Sequence, residues 1–165
     1  MLESAQHAYR VISNHGFAEV RQKISNEQNA LFSCRAFKSN EIVADFSAGT
    51  ISSTPTYLTV QVGAEKHITL FPEFLQYINH SCNPNVFFDT TAMKLLALRD
   101  INANEEFVFF YPSAEWNMNQ SFNCYCGNEN CIGEIKGALY LSAEAISNYR
   151  FTDYINEQLK PNNFK

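Results

Sequence analysis

Three cysteines crowd into one short segment near the carboxyl end, Cys124-x-Cys126-x4-Cys131, with Gly127 among them. Zinc takes four ligands in a tetrahedron, with thiolates at about 2.3 Å. Three thiols from one loop leave one ligand to find. The other two cysteines are Cys34 and Cys82, and His80 is a further option. Whichever answers, a distant stretch must fold back onto this loop. The plain alternative is a set of reduced, merely buried thiols. In a chain expected to stay inside the cell, clustered cysteines read as metal ligands sooner than as disulfides.

That expectation comes from the amino terminus. Met1-Leu2-Glu3-Ser4-Ala5-Gln6-His7 lacks the basic and then apolar pattern of a secretory signal. No apolar run approaches the roughly 20 residues that span a bilayer. An intracellular protein, cytoplasmic or nuclear, is expected. At 165 residues a single domain over 1–165 is the default, large enough for a real core. The net charge of −5 argues against direct nucleic-acid binding, which calls for a basic patch, and no membrane partner is expected. It is compatible with a basic peptide as partner. Fourteen Phe and eight Tyr imply either an aromatic core or an aromatic channel.

Hydrophobic periodicity predicts many short strands. Residues 1–16 carry no strong pattern. Phe17 to Ile24 alternates, with Ala18, Val20 and Ile24 on one face. Ala30–Ser33, Glu41–Phe46, Tyr57–Val62 and His67–Leu70 read as further strands, and Gly49 to Pro55 as a loop. Val86–Phe88 and Met93–Leu98 form a hairpin, and Phe107–Tyr111 a strand. Pro72–Leu75 starts a short helical turn, Ser142 caps a short helix, and Tyr154–Leu159 is a last amphipathic piece. With little helix and no βαβ alternation, the pattern implies a compact, mostly β fold.

Two stretches carry chemistry. Tyr77-Ile78-Asn79-His80-Ser81-Cys82-Asn83-Pro84-Asn85 is a dense polar run between apolar segments; by composition it is a surface turn. Glu105-Glu106-Phe107-Val108-Phe109-Phe110-Tyr111 is an aromatic strand. Alternation places Phe107, Phe109 and Tyr111 on one face. Such a wall suits the methylenes and amine of a lysine, or is simply core.

Taken in order, the Asn-His-x-Cys-x-Pro-Asn run, the Glu-Glu-Phe-x-Phe-x-Tyr strand and the cysteine triplet resemble the SET-domain protein lysine methyltransferases with a post-SET zinc motif. The resemblance covers roughly residues 16–137. It implies a β-clip-like fold of short curved sheets around a pseudoknot, with a short helical segment at the carboxyl end. It divides the chain into a core at 16–115, a zinc segment at 116–137 and an extension at 138–165.

The resemblance further implies methyl transfer from S-adenosylmethionine to the side-chain amine of a lysine in a protein, a histone among the options. Tyr111 falls on the catalytic tyrosine. Phe109 falls on the position that sets the product, a Phe going with di- and trimethylation, and Tyr57 is a candidate for the same lysine channel. Asn79 and His80 take the cofactor-binding pair, Ala30 and Phe32 belong to the cofactor-side strand, and Trp116 and Phe122 are candidates for an aromatic lid. Cys82 becomes the fourth zinc ligand beside Cys124, Cys126 and Cys131, leaving Cys34 as a small core residue. One departure stands out: Gln28-Asn29-Ala30 occupies the family's Gly-x-Gly. Asn104 also replaces a common Gly, but Asn tolerates the left-handed geometry. The missing glycines keep a rival open, a catalytically inactive SET fold that binds proteins. Methylation of a small amine is a third reading.

Overall fold

The computed structural model describes residues 8–161. The amino-terminal residues read above for a signal lie outside them. Three small antiparallel sheets carry the chain. The first has the order β1 (Tyr9–Asn14), β2 (Ala18–Lys23), β3 (Asn29–Ser33). In the second, β10 (Lys94–Ala97) lies between β4 (Ile42–Asp45) and β9 (Val86–Asp89). In the third, β7 (Lys66–Phe71) lies between β5 (Ser47–Ser52) and β6 (Thr59–Gly63). Two strand pairs complete it: β8 (Asn79–His80) parallel to β11 (Val108–Phe109), and β12 (Phe122–Asn123) antiparallel to β13 (Glu134–Ile135). The helices α1 (Ala143–Asn148) and α2 (Asp153–Gln158) come last. The fold is mostly β, as the pattern implied.

β3 is buried along nearly its whole length because it is not an edge. The segment before β11 adds to it: the Phe107 N–H donates to the Leu31 carbonyl at 2.8 Å, and the Ser33 N–H to the Glu105 carbonyl at 2.9 Å. The turn into that segment places Asn104 at φ +67°, the left-handed conformation its side chain tolerates. In β2, Ala18 and Val20 are buried as alternation requires. Ile24 lies beyond the strand end and is 59% exposed, so it does not share their face.

Five strands, β1, β5, β8, β12 and β13, lie where the pattern showed none. β1 is an edge strand with Val11 and Ile12 largely exposed, so it lacks buried alternation. β5 falls in the stretch read as a loop. Its small residues allow close approach to β7: a Cβ on Gly49 would come within 2.8 Å of Thr69 Oγ1, which accepts the Thr50 N–H at 2.8 Å. Ser142 caps α1 as expected, its Oγ accepting the Ala145 N–H at 3.1 Å, and Thr152 does the same for α2.

The buried residues form two clusters. The larger joins the three sheets and includes Leu31, Phe37, Phe88, Leu95, Phe107 and Phe109. The smaller holds Cys82, Phe110, Cys124, Ile135, Phe151 and Ile155. β11 runs between them. Phe107 and Phe109 point into the first cluster, and Phe110 points into the second, where it stacks on Tyr149 at 3.6 Å and 6°. Tyr111 touches both.

Candidate functional site

The dense polar run at 77–85 is not a surface turn. Asn85 and Cys82 are fully buried and Ser81 nearly so. Asn85 clasps Val108 twice: its Oδ1 accepts the Val108 N–H at 2.8 Å, and its own N–H donates to the Val108 carbonyl at 3.0 Å. Its Nδ2 donates to the Glu106 carbonyl at 2.8 Å. The Ser81 N–H donates to the Phe109 carbonyl at 3.0 Å. The polar side chains supply the hydrogen bonds that a two-residue parallel pair cannot supply alone.

This wrapping sets an aromatic group around Tyr111. The Tyr111 N–H donates to His80 Nδ1 at 3.1 Å. His80, Phe122 and Phe109 lie with ring centres 5.1, 5.8 and 4.6 Å from the Tyr111 ring. Burial holds the His80 imidazole at about 4, so it is neutral. With Nδ1 accepting, the ring proton sits on Nε2, 3.5 Å from Cys82 Sγ. Burial pushes the Tyr111 phenol up to about 12, the His80 backbone opposing and the Glu106 charge adding. At neutral pH Tyr111 is therefore a phenol that donates and accepts hydrogen bonds.

Tyr111 and Phe109 line a cavity of about 360 Å³ with Val60, Leu75, Ile78 and Phe122. Tyr57 stands at its rim, 83% exposed. Glu115, which the sequence reading passed over, also lines it; a lone Glu after an aromatic strand gave no signal. Trp116 packs against the smaller cluster, its backbone N–H donating to Gln61 Oε1 at 3.0 Å.

On the other side, Asn79 Nδ2 donates to the Asn29 carbonyl at 3.1 Å and to Glu106 Oε1 at 3.2 Å. Ala30 and Phe32 are buried in β3; Phe32 meets Tyr9 edge-on at 5.0 Å and Arg21 at 4.7 Å. Neither Gln28 nor Ala30 needs positive φ; the left-handed residue of this turn is Glu27 at +58°. The glycines are therefore dispensable for the turn itself. Asn29 Oδ1 is buried with no hydrogen-bond partner among the described residues, an acceptor suited to a ligand's amino group.

The sulfurs of Cys82, Cys124, Cys126 and Cys131 all lie within 4.8 Å of one another, and none is in a disulfide. A tetrahedron with sulfurs about 2.3 Å from its centre has edges of about 3.8 Å; Cys82 and Cys124 are 3.9 Å apart. The donor set and spacing fit a tetrahedral thiolate metal site. Burial raises both Cys82 and Cys124; the charges of Cys124 and Cys126 add to it at Cys82, and side-chain hydrogen bonds with Cys126 and Cys131 add to it at Cys124. Cys126 is also raised by burial, but hydrogen bonds from Asn128 and the Cys82 backbone outweigh that and lower it. Asn130 Nδ2 and the Tyr149 hydroxyl both donate to the Cys82 carbonyl at 2.7 Å. His80 stands beside the sulfurs, with Nδ1 turned to Tyr111. Cys34 lies apart from the four and is partly exposed, so it is not a core residue.

The SET domain family profile matches residues 21–112, more than half of the chain. The chain belongs to the SET domain family. Methyltransferase flvH of Aspergillus flavus is 40% identical over 106 residues, 63% of this chain and 59% of that protein. An H3 lysine-36 specific histone-lysine N-methyltransferase of Aspergillus oryzae is 41% identical over 68 residues, 38% of this chain and 7% of that protein. This SET chain thus spans little more than half of the first relative and a small part of the second. Among solved structures, KRYPTONITE in complex with mCHG DNA and SAH matches with TM-score 0.52 and 23% identity, over 66% of this chain and 27% of that one. That likeness is one of fold. No helix among the described residues is long and apolar enough to cross a membrane.

Proposed function

We propose that this SET domain transfers methyl groups to the side-chain amine of a lysine in a protein, as the names of its histone-lysine methyltransferase relatives suggest. The observation that carries the reading is the aromatic wall of Tyr111, Phe109 and Phe122 on a cavity of about 360 Å³, in a chain of this family. S-adenosylmethionine, when bound, supplies a methyl group on a sulfonium. Asn79, His80, Ala30, Phe32, Tyr111, Phe122 and Trp116 are the residues assigned to hold it, and the unpartnered Asn29 Oδ1 suits its amino-acid end.

A free lysine amine has a pKa of about 10.4 and is almost wholly charged at neutral pH. Aromatic and aliphatic walls disfavour the ammonium and raise the neutral fraction. The Tyr111 hydroxyl orients the amine lone pair, and such alignment lowers the barrier without a strong base. Phe109 leaves room beside the nitrogen for added methyls, in keeping with di- and trimethylation. Tyr57 at the rim guides the entering chain. Cys82 of the 16–115 core and Cys124, Cys126 and Cys131 of the 116–137 segment would hold zinc between them, which would fasten that segment to the core, with 138–165 as an extension. The protein acts inside the cell, in cytoplasm or nucleus, with a histone as one candidate substrate.

The test is calorimetric titration of the zinc-loaded protein with S-adenosylmethionine, followed by transfer of labelled methyl to lysine peptides. One-to-one binding and label on lysine are expected. No binding with or without a lysine-rich peptide overturns the reading in favour of a protein-binding SET fold.

A further inference from the structure

Glu115 is 6% exposed, and neither carboxylate oxygen has a hydrogen-bond partner among the described residues. Its place is fixed by the backbone around it. The Ala138 N–H donates to the Glu115 carbonyl at 2.8 Å, and the Ala114 carbonyl accepts the Gln61 N–H at 3.0 Å. The Gln61 side chain is itself engaged, Oε1 by Trp116 and Nε2 by the Gly63 carbonyl at 3.1 Å. Glu115 thus sits between β6 and the turn at Ala138–Tyr140, and it lines the same cavity as Tyr111 and Phe109.

No other residue lining that cavity carries a charge; Tyr57 and Tyr111 are its only other titratable groups. Lys136, two residues before that turn, is engaged elsewhere: it pairs with Glu134 at 3.1 Å and lies over the Tyr140 ring. An ionised carboxylate with no partner is costly to bury, and a Gln or Met would fill the same space without that cost. The cavity is mostly apolar, with some uncharged polar residues such as Gln76 and Asn119, and it carries a single acid and no Lys, Arg or His. What it lacks is a cation.

We propose that Glu115 is the recognition residue for the substrate's protonated amine, its carboxylate pairing with an ammonium that enters the cavity beside Tyr111. The inference rests on the amine-binding use of this cavity proposed above. In the empty cavity burial holds the Glu115 carboxyl up at about 8, so at pH 7 it carries its proton. Entry of the ammonium ionises it: the O–H bond breaks, the proton leaves to solvent, and the carboxylate–ammonium pair forms; this pair is the docking state, and methyl transfer follows from the neutral amine once the ammonium proton has in turn left to solvent. A neutral acid in the empty state also explains why the fold tolerates the residue.

The zinc-loaded full chain is titrated with Nα-acetyl-lysine amide and with Nα-acetyl-norleucine amide, the same side chain without the ammonium. Binding is followed by fluorescence of Trp116, the single tryptophan and the next residue. A charge-assisted pair predicts that the wild type prefers the lysine probe by at least about tenfold at pH 7. In Glu115→Gln, and in Glu115→Met as an apolar second variant, the preference falls to about unity. Wild-type affinity for the lysine probe also weakens by about tenfold from pH 7 to pH 6, and the variants show no such slope. Equal affinity for the two probes, no saturable binding of the lysine probe, or a preference that survives in both variants overturns the inference. Methyl transfer to a lysine peptide is scored separately. Transfer with a Glu115-independent preference leaves the function standing and removes Glu115. A Glu115-dependent preference without transfer keeps the cation site and removes the methyltransferase reading.

Discussion

Replacing Glu115 by Gln should change how stability depends on pH, and the size follows from the burial of that one group. A glutamate ordinarily titrates at 4.5; burial raises Glu115 to about 8. The folded chain therefore holds this proton more tightly than the unfolded chain. Wherever the folded state binds more protons, stability falls as pH rises. The loss begins above 4.5, grows through neutrality and levels off above about 8. At about 1.4 kcal/mol per pH unit, this group costs about 3 kcal/mol by pH 7 and about 5 by pH 9, relative to acid pH. That is a large share of a typical domain's total of about 5 to 15 kcal/mol. Urea unfolding of zinc-loaded wild type and Glu115→Gln, at intervals from pH 5 to pH 9, measures it. Titrations of the thiols are common to both proteins and cancel in the difference. The variant should gain on the wild type steadily, ahead by several kcal/mol at pH 9. Curves that run parallel over the whole range would show that Glu115 is not held protonated, and the reasoning from its burial would fail.

Tyr111→Phe removes a hydroxyl and leaves the packing around β11, so thermal unfolding should be little changed while turnover falls on the order of 100-fold; full activity excludes Tyr111 from the reaction. Cys126→Ser leaves three thiols of the four. Bound zinc, measured by atomic emission, should drop well below one per chain, with faster proteolysis after residue 116; a full zinc complement removes Cys126 from the ligands. Gly137→Ala meets two obstacles. The residue lies at φ +124°, and its new Cβ would run into the Trp116 carbonyl, 2.9 Å from the carbon and closer still to the oxygen. The cost should exceed about 1 kcal/mol in urea unfolding; a neutral result would mean that the 115–116 wall moves freely.

The parts of the molecule that could be read in the sequence are those where one residue type had one use. Alternation revealed β2, which buries Ala18 and Val20 but not the residues between and after them, and runs of β-branched and apolar residues revealed β6 and β7. Sulfur spacing revealed the metal-type cluster. β1 and β5 stayed hidden because edge strands with exposed or small side chains carry no period. The burial of Asn85 could not be read from composition, since a polar residue goes inside only where a backbone needs its hydrogen bonds, and that need arises from the crossing of two distant segments. Glu115 was hidden for the same reason. Its partnerless carboxylate becomes visible only once β6 and the turn after Gly137 have closed around it.

The parallel pair β8–β11 has one further consequence. His80 joins the Tyr111 backbone to the Cys82 sulfur, and the Phe110–Tyr149 stack joins the same strand to the residue that holds the Cys82 carbonyl. A metal held by these thiols and the phenol would thus be two loads on a single hinge pin. Free-energy coupling between two sites acts equally in both directions. If removing the metal loosens Tyr111, then filling the cavity against Tyr111 must slow the metal's escape. A substrate would guard the ion that holds its own binding wall in shape.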